Sequence, residues 1–301
     1  MASPLRLTAC GPASGPSDWA QDVEVAWAAV RAEFEAVETE MSRFRESSDL
    51  MRLNRVAGTG RPVSVPRRLE RALVAADRAH RVTDGRFDPR VLRDLERLGY
   101  PGAPLDTEVV DAPAGYRIVE RCRAGELTVD RPIDLGGIGK GLALRWAAAL
   151  IGRLGVERFL LEAGGDLVAR GPGPENGPWL IGVEDPTGGP DALAAIAVEH
   201  GAVATSSVRL RSWVRDGRQV HHLLDPRTGE PAEGGLRAVT VQGPDPAWAE
   251  VWSKTLFIGG REAIVATARS RGLAAWWVTD DGTLEMTPAA RQRTAWVQSE
   301  S

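Results

Sequence analysis

Asp134-Leu-Gly-Gly-Ile-Gly-Lys-Gly141 joins a stretch that reads as strand, Leu127-Thr-Val-Asp-Arg-Pro-Ile133, to one that reads as helix, Leu142-Ala-Leu-Arg-Trp-Ala-Ala-Ala-Leu-Ile151. Its eight residues hold one carboxylate, four glycines and one lysine. Glycine lets the backbone turn sharply and approach a ligand closely. The N–H groups at a helix start, with Lys140 beside them, suit a phosphate. The spacing is not that of the familiar phosphate loops. Gly141 follows Lys140 where a P-loop needs Ser or Thr, and no G-x-G-x-x-G is present. Two readings therefore stand: a phosphate cradle, or a structural turn with Asp134 as helix cap.

The pattern changes across this turn. Upstream, apolar residues recur at helical spacing over 21–45 (Val23, Trp27, Val30, Phe34, Val37, Met41, Phe44) and over Arg67 to Val82. Shorter capped helices are expected at 47–54 and 90–98, an extended piece at 62–66 and a loop at 100–116. Downstream, short β candidates follow one another: 159–161, 167–169, 180–183, 194–198, 202–204, 212–214, 219–224 and 238–241. Helices at 248–259 and 262–271 and a strand at 274–278 close the series. Helices first, then many strands with little alternation, argue for an α+β fold rather than a doubly wound sheet. The ends, 1–4 and 287–301, read as frayed.

Composition sets bounds. The chain has 301 residues, 43% hydrophobic and 26% charged, with a net charge of −4. That is ordinary globular composition with no basic signal for nucleic acid. The two cysteines, Cys10 and Cys122, imply no disulfide framework. No apolar run is long enough to span a membrane. Leu7-Thr-Ala-Cys10 resembles a lipoprotein cleavage box, but no charged start and apolar run precede it. The expectation is a cytoplasmic protein with no membrane insertion and no nucleic-acid partner.

Single motifs have bland readings. Asp88 before a proline starts a turn, Glu250 complements a helix dipole, and His222 suits a strand. Together, Asp88, Asp134, Asp166, Glu250, Thr205, Ser206, His222 and Lys140 form a set dominated by carboxylates. Such a set favours a hard cation such as Mg²⁺ over zinc, and with a phosphate-friendly turn it points to chemistry at a phosphoanhydride.

The order of motifs carries a resemblance. Met41-Ser-Arg-Phe-Arg-Glu-Ser-Ser-Asp-Leu-Met-Arg-Leu-Asn54, Gly85-Arg-Phe-Asp-Pro89, the 134–141 turn, Ala163-Gly-Gly-Asp166, Ala204-Thr-Ser-Ser207, His222-Leu-Leu-Asp-Pro-Arg-Thr-Gly229 and Ala249-Glu-Val-Trp-Ser-Lys-Thr-Leu256 follow in sequence. This closely resembles the ApbE family, the FAD:protein FMN transferases, from about residue 8 to 280. The resemblance implies an α+β, T-fold-like mixed sheet with packed helices, as one domain over 5–285 and a tail over 286–301. It implies FAD as substrate, Mg²⁺ as cofactor, and transfer of FMN to a threonine of an acceptor flavoprotein with release of AMP. The alternatives are FAD hydrolysis to FMN and AMP, or FAD binding without chemistry.

Carried over by position, Phe44, Arg86, Phe87, Asp88, Asp134, Lys140 and Leu223 are implied to contact FAD. Gly137 is implied to reach the metal through its backbone oxygen, and His222 to take part in transfer. Two departures stand out. Cys10 replaces an early flavin-contacting methionine. Glu250 and Lys254 replace the Asp and Thr, four residues apart, of the metal-binding helix. Glu250 is expected to reach Mg²⁺. Lys254 has no lone pair to donate while protonated, and its charge is expected to act on the pyrophosphate instead.

Overall fold

The computed structural model describes residues 4–11, 18–102, 104–105, 117–123 and 125–298. These group into two compact units, one of residues 34–139 and 213–231, the other of residues 2–33, 140–212 and 232–301. Each has its own sheet and its own buried apolar residues.

The larger unit is built on seven strands: Leu5–Ala9, Phe159–Ala163, Asp166–Arg170, Gly201–Ser207, Leu236–Gly243, Ala274–Thr279 and Leu284–Met286, in that spatial order. Every pairing among them is antiparallel. Alternate residues of a strand point to opposite faces. On one face, Leu167, Val203 and Trp276 pack with Trp179, Val183 and Ile196. Those last three come from a small sheet of Trp179–Glu184, Ala192–Val198 and Thr294–Val297. On the other face lies the helix Pro246–Arg271, against Gly201–Ser207 and Leu236–Gly243. Asp245 caps its start by accepting from the Trp248 N–H at 3.0 Å.

The smaller unit packs the helix Arg67–Val82 against the strand Val119–Arg123. Leu69, Ala72, Leu73, Ala76 and Ala79 line the buried face of that helix, as its spacing predicts. Val119–Arg123, Glu126–Val129 and Val63–Ser64 form a three-stranded sheet. Ser48 caps the short helix Asp49–Asn54. Asn54 then makes two hydrogen bonds of 2.8 Å to the backbone of Ile133, which fixes the entry to the glycine turn.

Several expectations shift. The first helix is Trp19–Met41, so Phe44 lies beyond it rather than on its buried stripe. The helices expected at 248–259 and 262–271 are both present, as the two halves of Pro246–Arg271 on either side of a break at Gly260, whose φ of 75° only glycine adopts readily. The stretch 287–301, read as frayed, contains the helix Pro288–Arg291 and the strand Thr294–Val297. The strand Leu5–Ala9 is an element that the sequence reading passed over. Of the expected loop at 100–116, residues 103 and 106–116 lie outside the described residues. No described helix is long and apolar enough to cross a membrane.

Candidate functional site

The glycine turn resolves into two pieces. Asp134 does not cap the helix, which begins only at Gly139. Its Oδ1 accepts the Gly136 N–H at 2.6 Å, while its own N–H donates to Pro89 at 2.7 Å. Asp134 thus closes an Asx-type turn. Gly137 is buried in this turn.

In the larger unit, the first turn of Gly139–Arg153 meets the start of Pro246–Arg271. A Cβ on Gly141 would lie 2.5 Å from the Ala247 Cα and from the Pro246 carbonyl oxygen. That close approach explains a glycine where a P-loop has Ser or Thr. The Gly141 N–H donates to Glu250 Oε2 at 2.8 Å, so the helix N-terminus already holds an anion, supplied by the protein. Lys140 pairs with Asp166, and its Nζ lies 3.8 Å from Glu250 Oε1. Asp166 also accepts the Thr205 N–H at 3.1 Å, and Ser206 bonds Ser253 at 2.9 Å.

The charges in this cluster perturb one another. Burial pushes the Glu250 carboxyl up to about 7, against the opposing pull of Lys140. Burial also works against the Lys140 charge, but Asp166 and Glu250 outweigh it and hold the ammonium above its ordinary value. The lysine of the turn thus sits in a buried, coupled cluster with Asp166 and Glu250, on which the Lys254 charge also acts.

The smaller unit carries an aromatic group. Leu95, Leu98, Val220 and Leu224 form a buried cluster against which Tyr100 and Trp213 pack. Trp213 Nε1–H donates to the Leu98 carbonyl at 2.8 Å. Tyr100 stacks on His222, with ring centroids 6.1 Å apart at 21°, and meets Phe44 edge-on at 6.4 Å. Phe44 is 47% exposed. Arg43 is 2% exposed, with its Nη1 3.6 Å from Asp134 Oδ2. Its guanidinium carbon lies 5.3 Å from the ring centroids of both Phe44 and Tyr100. None of its guanidinium nitrogens has a hydrogen-bond partner among the described residues.

The remaining expected residues fall differently. Phe87 and Leu223 are fully enclosed. Asp88 binds the Arg90 guanidinium at 2.7 Å, and Arg90 in turn reaches Asp130 at 2.8 Å. Arg86 is half-buried, and its charge acts on Asp225. Cys10 is half-buried against the apolar cluster under the seven-stranded sheet. Lys254 is half-buried, and its charge acts on Glu250. The structure brings Lys140 to Glu250 in one unit, and Phe44 and His222 to a shared neighbour, Tyr100, in the other. Sequence reasoning missed Arg43 and Tyr100. The available signals were an Arg-Phe pair directly after a helix and one of only two tyrosines in the chain.

The expected divalent cation meets a poor donor set here. Glu250 is already bonded to Gly141 and faces Lys140. The position four residues on, where an oxygen donor was needed, is Lys254. No cluster of three or more His, Cys, Asp or Glu suited to a metal occurs among the described residues.

Comparison with known proteins agrees with this architecture. The family model described as the ApbE family matches residues 1–277. A relative from Klebsiella pneumoniae (strain 342), named FAD:protein FMN transferase, is 30% identical over 270 residues, spanning 85% of this chain and 77% of its own. A relative of the same name from Escherichia coli (strain K12) is 28% identical over 268 residues, spanning 84% and 76%. The crystal structure of the ApbE protein of Thermotoga maritima superposes with a TM-score of 0.81 at 29% identity, over 96% of this chain and 95% of that one.

Proposed function

The chain belongs to the ApbE family, and we propose that it is a FAD:protein FMN transferase acting on a threonine of an acceptor flavoprotein. The observation that carries the reading is the aromatic group of Phe44, Tyr100 and His222 beside the buried Arg43 and Asp134. An exposed ring next to a cation and a carboxylate suits a flat heteroaromatic ring with polar edges.

The threonine hydroxyl oxygen attacks the phosphorus on the riboflavin side of FAD. The bond from that phosphorus to the bridging oxygen breaks, and AMP leaves with the electron pair. The hydroxyl proton passes to His222, which acts as general base. Cys10, Phe44, Arg86, Phe87, Asp88, Asp134, Lys140 and Leu223 are the positions that the family resemblance proposes for FAD contact. The donors around Glu250, bonded to Gly141 and facing Lys140, do not suit the Mg²⁺ expected at Gly137 and Glu250.

The test uses the full chain, FAD and a candidate acceptor domain, with covalent flavin read by fluorescence in a denaturing gel. A fluorescent acceptor band, lost when the acceptor threonine is replaced by alanine and strongly reduced by His222→Ala, is the expected result. FMN and AMP appearing at the same rate without any acceptor would turn the reading to FAD hydrolysis.

A further inference from the structure

The face of Pro246–Arg271 that carries Glu250 also carries Lys254, one turn further on. The family pattern would place a carboxylate and a neutral oxygen donor there. This chain instead has a carboxylate and an ammonium, and an ammonium cannot ligate a metal. The carboxylates at hand are already engaged. Glu250 accepts the Gly141 N–H at 2.8 Å and faces Lys140 at 3.8 Å. Asp166 accepts the Thr205 N–H at 3.1 Å and pairs with Lys140. The charge of Lys254 reaches Glu250, and that of Arg211 reaches Lys140. A divalent cation seated at Glu250 would compete with the Gly141 N–H and meet the Lys140 ammonium at short range, with the Lys254 charge adding to the repulsion.

We propose that Lys140 and Lys254 supply the positive charge that a divalent cation would bring, so that this chain binds the diphosphate of its substrate without a metal ion. Lysine suits the role as a compact point charge for phosphate oxygens. Two ammonium groups also match a diphosphate bridge, which carries one negative charge on each phosphate. The inference rests on the FAD reading above.

Two measurements on the full chain test it. The first is Mn²⁺ binding by electron paramagnetic resonance, which needs no substrate. The wild-type chain is expected to leave the free-ion signal undiminished. The second is FAD affinity by fluorescence quenching, in EDTA and in excess Mg²⁺. The wild type is expected to bind equally in both, within about twofold, while Lys254→Thr weakens by about tenfold in EDTA and recovers with Mg²⁺. Lys254→Arg, which keeps the charge, is expected to stay indifferent to metal. Stoichiometric Mn²⁺ binding by the wild type, or FAD affinity about tenfold lower in EDTA than in Mg²⁺, would overturn the proposal. Failure to bind FAD under either condition would remove the flavin reading. The Mn²⁺ spectrum would then decide alone, bound ion overturning the metal-free site and unbound ion upholding it.

Discussion

Arg43 is the residue whose situation asks most for a ligand. A buried guanidinium without hydrogen bonds leaves strong donors unsatisfied, and each such group costs about 1–3 kcal/mol or more. Among the described residues, Asp134 and two aromatic rings face it. Replacing it with an apolar chain of similar length removes the unsatisfied donors together with the charge. Arg43→Met is therefore expected to melt within a few degrees of wild type but to bind FAD about tenfold more weakly. Thermal melting and fluorescence titration would check this, and an unchanged FAD affinity would reduce Arg43 to a packing role.

Glu250 makes a prediction in pH. Its carboxyl is raised from 4.5 to about 7, chiefly by burial. A raised acid favours the protonated form in the folded state. Its contribution to stability is therefore full below about pH 4.5 and lost as pH rises through about 7. A glutamine in its place would stay neutral throughout. The stability of Glu250→Gln relative to wild type should accordingly rise between those limits and be flat outside them. Denaturant titrations at pH values spanning the window measure the difference, and a difference that does not change with pH would show that folding leaves the Glu250 pKa unshifted. Little of this was legible in the sequence. Glu250 and Lys140 lie far apart in the chain, and their pairing depends on two helices meeting.

At the scale of elements, that meeting depends on Gly141. An alanine there would drive its Cβ into the Pro246 carbonyl and the Ala247 backbone. Backbone cannot move aside as a side chain can, so Gly141→Ala should cost roughly 1–3 kcal/mol of unfolding free energy. It should also loosen the Gly141–Glu250 hydrogen bond. Equilibrium unfolding would check the first effect, and wild-type stability in the variant would show that the helices can part at no cost. The helix Arg67–Val82 was legible to the residue because its apolar spacing is strict and a proline precedes it. The break in Pro246–Arg271 was legible as a gap in the pattern. The strand Leu5–Ala9 alternates half-buried and exposed residues, a period-two signal, but five residues are too few for that alternation to stand out. The pairing of Thr294–Val297 with Ala192–Val198 depends on long-range contacts that no local pattern carries.

For the whole molecule, the α+β class followed from the order of helices and strands, and the family followed from the order of motifs. Physical periodicity alone gave the class. The resemblance gave the site residues, and the structure then sorted them. Phe87 and Leu223 are enclosed, Asp88 serves an ion pair, and Phe44 stands exposed beside Tyr100. Transfer, as opposed to hydrolysis or binding alone, is the step on which the functional reading stands, and the ratio of products decides it. The chain would be incubated with FAD and a threonine-bearing acceptor domain, with AMP measured by chromatography and covalent flavin by intact mass. Transfer predicts AMP and flavinylated acceptor in equal amounts, each rising with acceptor concentration. AMP formed in large excess over covalent flavin, or tight FAD binding with neither product, would contradict it.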